Sequence, residues 1–291
     1  MYSELFSKRN YLTLIGGAED KDSKKAILSS IVEATRVDNV VVIPTASNYP
    51  QDVFGNYQRA FKSLGVSEVS CCDIRNSDEA DKPEYIQKVS EAKLVFFSGG
   101  DQAKLVKALA KSKLLDIIKS RFFGSDLNIA GTSAGSAASA ETMFFDGDYK
   151  GFLKGSIAVD KGFGFIKDIA IDTHFLHRER IPRLLQFLAM GYCSKGIGLD
   201  EDTAVIIAPD MTATVVGSGV VTLLNTEKVT FNDIQQTENN QVFNINNVRL
   251  GFLSSGATFS INKWNVVKPR DIQQVYKDIL TSEIISPGAY I

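Results

Sequence analysis

Three cysteines in 291 residues, two of them adjacent at Cys71 and Cys72, supply neither a paired disulfide framework nor the spaced ligand pairs of a metal site. That scarcity reads as a reducing compartment with structural thiols. Net charge is equally thin. With 32 Lys and Arg against 34 Asp and Glu, the formal −2 leaves no basic footprint for nucleic acid, so partners have to be recognised locally. No apolar run approaches membrane-spanning length, and residues 1–17 carry Glu4, Lys8 and Arg9 without an apolar signal core. The expectation is a soluble, cytoplasmic protein with no membrane partner. Gly16 and Gly17 complete neither a dinucleotide fingerprint nor a P-loop, and there is no tandem repeat, low-complexity segment or long linker.

What is present is enough apolar material, 44% of the chain, to bury one large core, and a single α/β domain over residues 1–291 is expected. Short β-prone runs at Tyr11–Ile15, Val40–Ile43, Val66–Cys72, Leu94–Phe97 and Leu127–Ala130 alternate with helical patterns. The helices expected between them are one through Ile27, Ile31 and Ala34, then Val53–Leu64, Pro83–Ala92 and one carrying Leu105, Val106, Leu109, Leu114 and Ile118. Five repetitions of strand then helix predict a doubly wound, mostly parallel sheet with helices on both faces and ligand sites outside the carboxyl ends of its strands. Beyond residue 143 the pattern changes. Ile169–Asp172 and Ile197–Leu199 read as strands, with a helix carrying Arg178, Arg180, Arg183, Leu184 and Phe187 between them. From Thr203 the alternation is β-rich, through Ala204–Ile207, Thr212–Val216, Val220–Leu224 and Val242–Ile245, and a last helix is expected at Asp271–Leu280.

The chemistry centres on Gly131-Thr132-Ser133-Ala134-Gly135, a Gly-x-Ser-x-Gly pentapeptide after a strand and before a small-residue helix. Such a turn holds a serine in strained geometry and lifts its Oγ clear of the sheet edge. A serine hydroxyl needs a neighbouring base, and the chain offers two histidines, His174 and His177. His174 is preferred because it lies nearer the end of the preceding strand. For the carboxylate that orients an imidazole, Asp172, Asp200, Glu201 and Asp202 all qualify by type, and spacing does not choose among them. Gly99 and Gly100, at another strand end, supply backbone N–H groups for an oxyanion, with that of Ala134 after the nucleophile. The cluster Arg178, Arg180, Arg183 beside the same edge points to a substrate carrying a carboxylate.

The stretches LTLIGGAEDK, VVIPTAS, FFSGGDQAKL, GTSAGSAA, HFLHRERIPRL, GIGLDEDTAV and VVGSG resemble, in order, those of the cyanophycinases, serine hydrolases of the peptidase S51 family. Their sheet is similar to that of aspartyl dipeptidase and, more loosely, of class I glutamine amidotransferases. The resemblance implies Ser133 as nucleophile, His174 as general base and Glu201 as supporting carboxylate. It also implies substrate contacts from Gln102, Asp172, Arg178, Arg180 and Arg183. The implied substrate is cyanophycin, a poly-aspartate with arginine on each side-chain carboxyl, or a β-aspartyl peptide, cut to β-Asp-Arg dipeptides by a homodimer without metal or other cofactor. One position departs from the family pattern: Thr173 stands where the family favours glutamine, and a shorter side chain there changes recognition rather than hydrolysis. That departure opens a second reading, the same machinery acting on α-aspartyl dipeptides or short acidic peptides. A third, from another class, is a silent binding module for an arginine-bearing or acidic metabolite.

Overall fold

A computed structural model describes residues 10–124, 126–148 and 150–269 of the chain. Its first half alternates strand and helix as the periodicity predicts. In order come β1 (Leu12–Ile15), α1 (Ala26–Thr35), β2 (Asn39–Ile43), α2 (Pro50–Ser63), β3 (Glu68–Cys71), α3 (Ser77–Ala80), α4 (Pro83–Glu91) and β4 (Leu94–Phe97). Then follow α5 (Gln102–Leu109), α6 (Lys113–Phe123), β5 (Asn128–Thr132) and α7 (Ala134–Ser139). Strands β1, β5, β4, β2 and β3 pair in parallel in that order. Successive side chains on each strand go to opposite faces, so Val41, Ile43, Val95 and Phe97 join Val89, Leu105, Leu109 and Ile118 of one helical layer. Val40, Val42 and Phe96 face Ile27, Leu28, Ile31, Tyr57 and Phe61 of the other. Continuous apolar strands are what a sheet covered on both faces demands.

The β-rich second half extends this sheet and builds another. It contains β6 (Thr142–Asp146), β7 (Ile157–Lys161), β8 (Ile169–Thr173), α8 (Ile181–Ala189), β9 (Lys195–Leu199), β10 (Thr203–Ile207), β11 (Thr212–Gly217) and β12 (Val220–Asn225). The remainder is β13 (Phe231–Asn232), β14 (Ile245–Asn246), β15 (Arg249–Ser254), β16 (Thr258–Ser260) and β17 (Asn265–Lys268). Strands β10, β11, β16 and β17 continue outward from β1 with antiparallel pairing, giving a nine-stranded sheet that is parallel on one side and antiparallel on the other. A four-stranded sheet of order β15-β12-β9-β8 stands beside it, with β8 and β9 parallel. No helix among the described residues is long and apolar enough to cross a membrane.

Three expectations shift. The helix expected across Leu105 to Ile118 is two, because Lys111 turns through φ 67 and the Ser112 side chain caps a new helix by accepting the Leu115 N–H at 3.1 Å. The arginine-bearing helix starts at Ile181 with Pro182 in its first turn, so Arg178 precedes it and Arg180 is its N-cap. Val242–Ile245 contracts to a two-residue strand at Ile245–Asn246 paired with Phe231–Asn232, while Val242 makes an isolated bridge to Leu153. Strands β15 to β17 carried no alternation strong enough to be read. The helix expected at Asp271–Leu280 lies outside the described residues.

Candidate active site

Ser133 sits between β5 and α7 with φ 49 and ψ −109, a conformation unfavourable for an L-residue and kept by its surroundings. Its N–H donates to the Ile15 carbonyl of β1 at 2.9 Å. The flanking glycines are required by close approach: a Cβ on Gly131 would lie 2.5 Å from the Gly135 carbonyl carbon, and one on Gly135 would lie 2.4 Å from the Phe97 carbonyl oxygen. The strained turn that the pentapeptide predicts is therefore built by β1, β4 and β5 together.

His174 reaches this serine from the other sheet. It follows β8 directly, also at positive φ (49), and its Nε2 is 2.9 Å from Ser133 Oγ. Its Nδ1 is 2.7 Å from Glu201 Oε1, just beyond β9. Three backbone bonds stitch these loops to the Gly16-Gly17 turn after β1. The His174 N–H donates to the Gly16 carbonyl, the Asp202 N–H to the Gly17 carbonyl and the Gly16 N–H to the Thr203 carbonyl, at 2.9, 2.8 and 2.8 Å. Gly17 passes so near the imidazole that a Cβ there would lie 2.4 Å from His174 Cε1. The glycine pair is thus a docking surface for the base as well as a turn.

Among the four carboxylates that spacing left open, Glu201 makes the imidazole contact. Asp200 Oδ1 accepts the N–H groups of His177 and Glu201, Asp202 Oδ1 accepts the Asp20 N–H, and Asp172 points away to Arg183. His177 stays outside, its side chain 65% exposed and its Nε2 3.8 Å from Glu201 Oε2. Burial holds the His174 imidazole below its ordinary value, against the upward pull of Glu201, so it is neutral and able to accept a proton at neutral pH. The hydrogen bond to His174 keeps Glu201 below the usual carboxylate value.

The backbone N–H groups of Gly100 and Ala134 carry no hydrogen bond to an acceptor among the described residues. Gly100 adopts φ 138, and a Cβ there would lie 2.1 Å from the Ala46 carbonyl oxygen, so only glycine fits beside the serine at this turn. Two clefts flank Ser133, His174, Gly100 and Arg178. One, of about 440 Å³, is lined on its far side by Glu19, Lys21, Asn56 and Tyr57. The other, of about 200 Å³, is lined by Gln102, Asp146, Asp148, Thr173, Arg180 and Arg183.

The three arginines are not equivalent. Arg183 is buried and gripped by Asp172 (Nε to Oδ2 2.8 Å, Nη2 to Oδ1 2.5 Å) while its Nη1 donates to Asp148 Oδ1 at 2.7 Å. Arg180 donates to Asp148 Oδ1 at 2.9 Å and to the Thr173 carbonyl at 2.8 Å. Arg178 is exposed, and its guanidinium has no hydrogen-bonded or ion-paired partner among the described residues. Asp172, expected to touch substrate, is 1% exposed and lines neither cleft, because its oxygens are consumed by Arg183 and by the Thr173 N–H. Gln102 lies on the cleft wall, with its amide 3.4 Å from the Phe144 carbonyl.

Sequence reasoning missed two features. Asp148 follows β6 in a stretch without a recognisable pattern, and no local signal marks it. Glu19, 3% exposed, accepts from Thr132 Oγ1 at 2.6 Å and from the Tyr57 hydroxyl, with Lys21 Nζ 3.2 Å away. Burial and the Glu19 charge push the Tyr57 phenol far up, so it remains a donor. A charged residue two positions beyond a strand-end glycine pair was the available signal for Glu19.

Comparison with known proteins gives the chain a family. The model of peptidase family S51 matches residues 12–215. Proteins named cyanophycinase from Trichormus variabilis and Nostoc sp. are each 32% identical over 258 residues, covering 87% of this chain and 86% of theirs. One from Synechococcus elongatus is 31% identical over 255 residues, 87% of this chain and 79% of its own. Among solved structures, a peptidase from an acI-B1 Actinobacterium superposes with a TM-score of 0.67 at 22% identity over 87% of this chain and 98% of that one, a likeness of fold. A strained serine between close-packed glycines, hydrogen-bonded to a histidine and through it to a glutamate, on a chain matched over most of its length, makes this protein a serine-type peptidase belonging to peptidase family S51.

Proposed function

We propose that the protein is a serine exopeptidase that hydrolyses cyanophycin to β-Asp-Arg dipeptides through an acyl-enzyme, acting as a homodimer. The observation that carries the reading is the continuous contact Ser133 Oγ to His174 Nε2 to Glu201 Oε1, with a cleft on either side of the serine for the two halves of a peptide. The name shared by the curated relatives supplies the polymer. Neutral His174 takes the Ser133 proton as Oγ attacks the carbonyl carbon, and Glu201 stabilises the imidazolium that forms. The tetrahedral oxyanion is held by the N–H groups of Gly100 and Ala134. His174 then gives the proton to the leaving nitrogen, and water, deprotonated by the same imidazole, releases the acyl group.

Purified protein supplied with insoluble cyanophycin releases β-Asp-Arg detectable by mass, and Ser133→Ala abolishes that release with an unchanged circular dichroism spectrum. Retained hydrolysis by the alanine variant overturns the assignment. Thr173, buried on the wall of the smaller cleft, favours a second reading in which the same machinery acts on α-aspartyl or short acidic peptides. Asp-X dipeptides offered in parallel separate the two by their products. Sedimentation velocity tests the dimer.

A further inference from the structure

Outside the triad, the least expected group at the site is Asp148. Its side chain is 41% exposed on the wall of the smaller cleft, yet one oxygen, Oδ1, accepts from two buried guanidiniums at once, Arg180 Nε at 2.9 Å and Arg183 Nη1 at 2.7 Å. The other oxygen, Oδ2, carries no hydrogen bond among the described residues. Arg183 is itself fixed by the buried Asp172, and Arg180 by the Thr173 carbonyl, so Asp148 is locked from behind. A carboxylate with one oxygen immobilised and the other facing a cleft is a pre-organised acceptor for charged N–H donors, and its ordering cost is met before a ligand arrives. The charges around the cleft allow this: Arg178, Arg180 and Arg183 on its wall are offset by Asp146 and Asp148 there and by Asp172, buried behind the wall against Arg183, so a cation entering meets no net repulsion. An anion placed against Asp148 meets a like charge instead, which leaves carboxylate recognition to the exposed, unpaired Arg178.

We infer that Asp148 is a specificity-determining residue that reads the cationic end of a zwitterionic side chain in the smaller cleft, while Arg178 reads its carboxylate. The inference rests on the cyanophycin reading, in which arginine joined through its α-amine to an aspartyl carboxyl keeps both a free guanidinium and a free carboxylate. Asp148 acts in recognition and moves no proton. Asp148→Asn keeps an oxygen for Arg180 and Arg183 but withdraws the charge from the cleft.

The test compares aspartyl oligomers bearing arginine with the same oligomers bearing citrulline, which is isosteric and neutral. The wild-type enzyme prefers arginine by about tenfold or more in kcat/KM, carried by KM, as expected for a charged hydrogen bond facing a buried anchor. In Asp148→Asn and Asp148→Ala that ratio collapses toward one. If both substrates slow by the same factor, so that the ratio stays at the wild-type value, Asp148 only positions the arginines and the inference is overturned. A binding arm separates this failure from failure of the cyanophycin reading. Calorimetry with β-Asp-Arg and β-Asp-citrulline on Ser133→Ala, with and without Asp148→Asn, reports the preference without turnover. An arginine preference lost with Asp148 upholds the inference even if the polymer is not hydrolysed, and no arginine preference overturns it even if it is.

Discussion

At the scale of single residues, the site depends on how closely backbone approaches side chain. Gly17 has φ 106 and lies against the imidazole, so Gly17→Ala forces a Cβ onto His174 Cε1. Displacing the base by about 1 Å costs on the order of 10²-fold in kcat, measured with any cleaved substrate, while stability falls by only about 1–3 kcal/mol. The pH profile follows from the direction of the His174 shift. Because burial lowers the imidazole from its ordinary 6.5, the base stays neutral to a lower pH, and the acid limb of kcat/KM falls below 6.5. Glu201→Gln removes the partner that raises His174, so the limb moves further down as kcat drops by roughly 10²–10⁴-fold. An acid limb that rises instead would remove Glu201 from its role. Ser133, His174 and the glycines were legible residue by residue because each belongs to a short motif with one demanding geometry. Asp148 was not, because its importance lies in two arginines more than thirty residues away.

At the scale of elements, the parallel strands were read to within a few residues because buried strands are continuous apolar runs stopped by glycine, proline or aspartate. The break between α5 and α6 was invisible to periodicity, since both helices keep the same buried face, and it turns on Ser112 as a cap. The link from β8 to α8 is organised by a buried ion pair that no pattern announces. Removing Asp172 alone takes the bidentate partner from the buried Arg183 guanidinium and leaves it the half-exposed Asp148 as carboxylate partner, so Asp172→Ala lowers unfolding stability by about 3 kcal/mol in chemical denaturation, whereas replacing both residues with apolar ones recovers much of the loss. Equal destabilisation by the single and double variants would show that the pair is not coupled.

At the scale of the whole molecule, nucleophile and base come from different sheets, the serine from the nine-stranded one and His174 and Glu201 from the ends of β8 and β9. Acid therefore weakens both catalysis and the folded state. The unfolded chain binds the His174 proton first as pH falls below 6.5, and stability declines from that point. Glu201 and Asp126, held below their ordinary carboxylate values in the fold, add a second decline as pH falls through the carboxylate range. Thermal melting midpoints are expected to be flat above about pH 7 and to fall in these two stages; a Ser133→Ala, His174→Ala protein loses the first stage and, with Glu201 deprived of its partner, keeps only the Asp126 part of the second. By itself the sequence determined the strand-helix alternation, the strained serine turn and the scarcity of bases, because local periodicity and steric demand act over a few residues. Which carboxylate orients His174 was left open by spacing and supplied by resemblance; which arginine remains unpaired and where Asp148 stands were decided only by the tertiary structure. Those roles depend on distances between groups on separate strands, set by how two sheets meet at the Gly16-Gly17 turn.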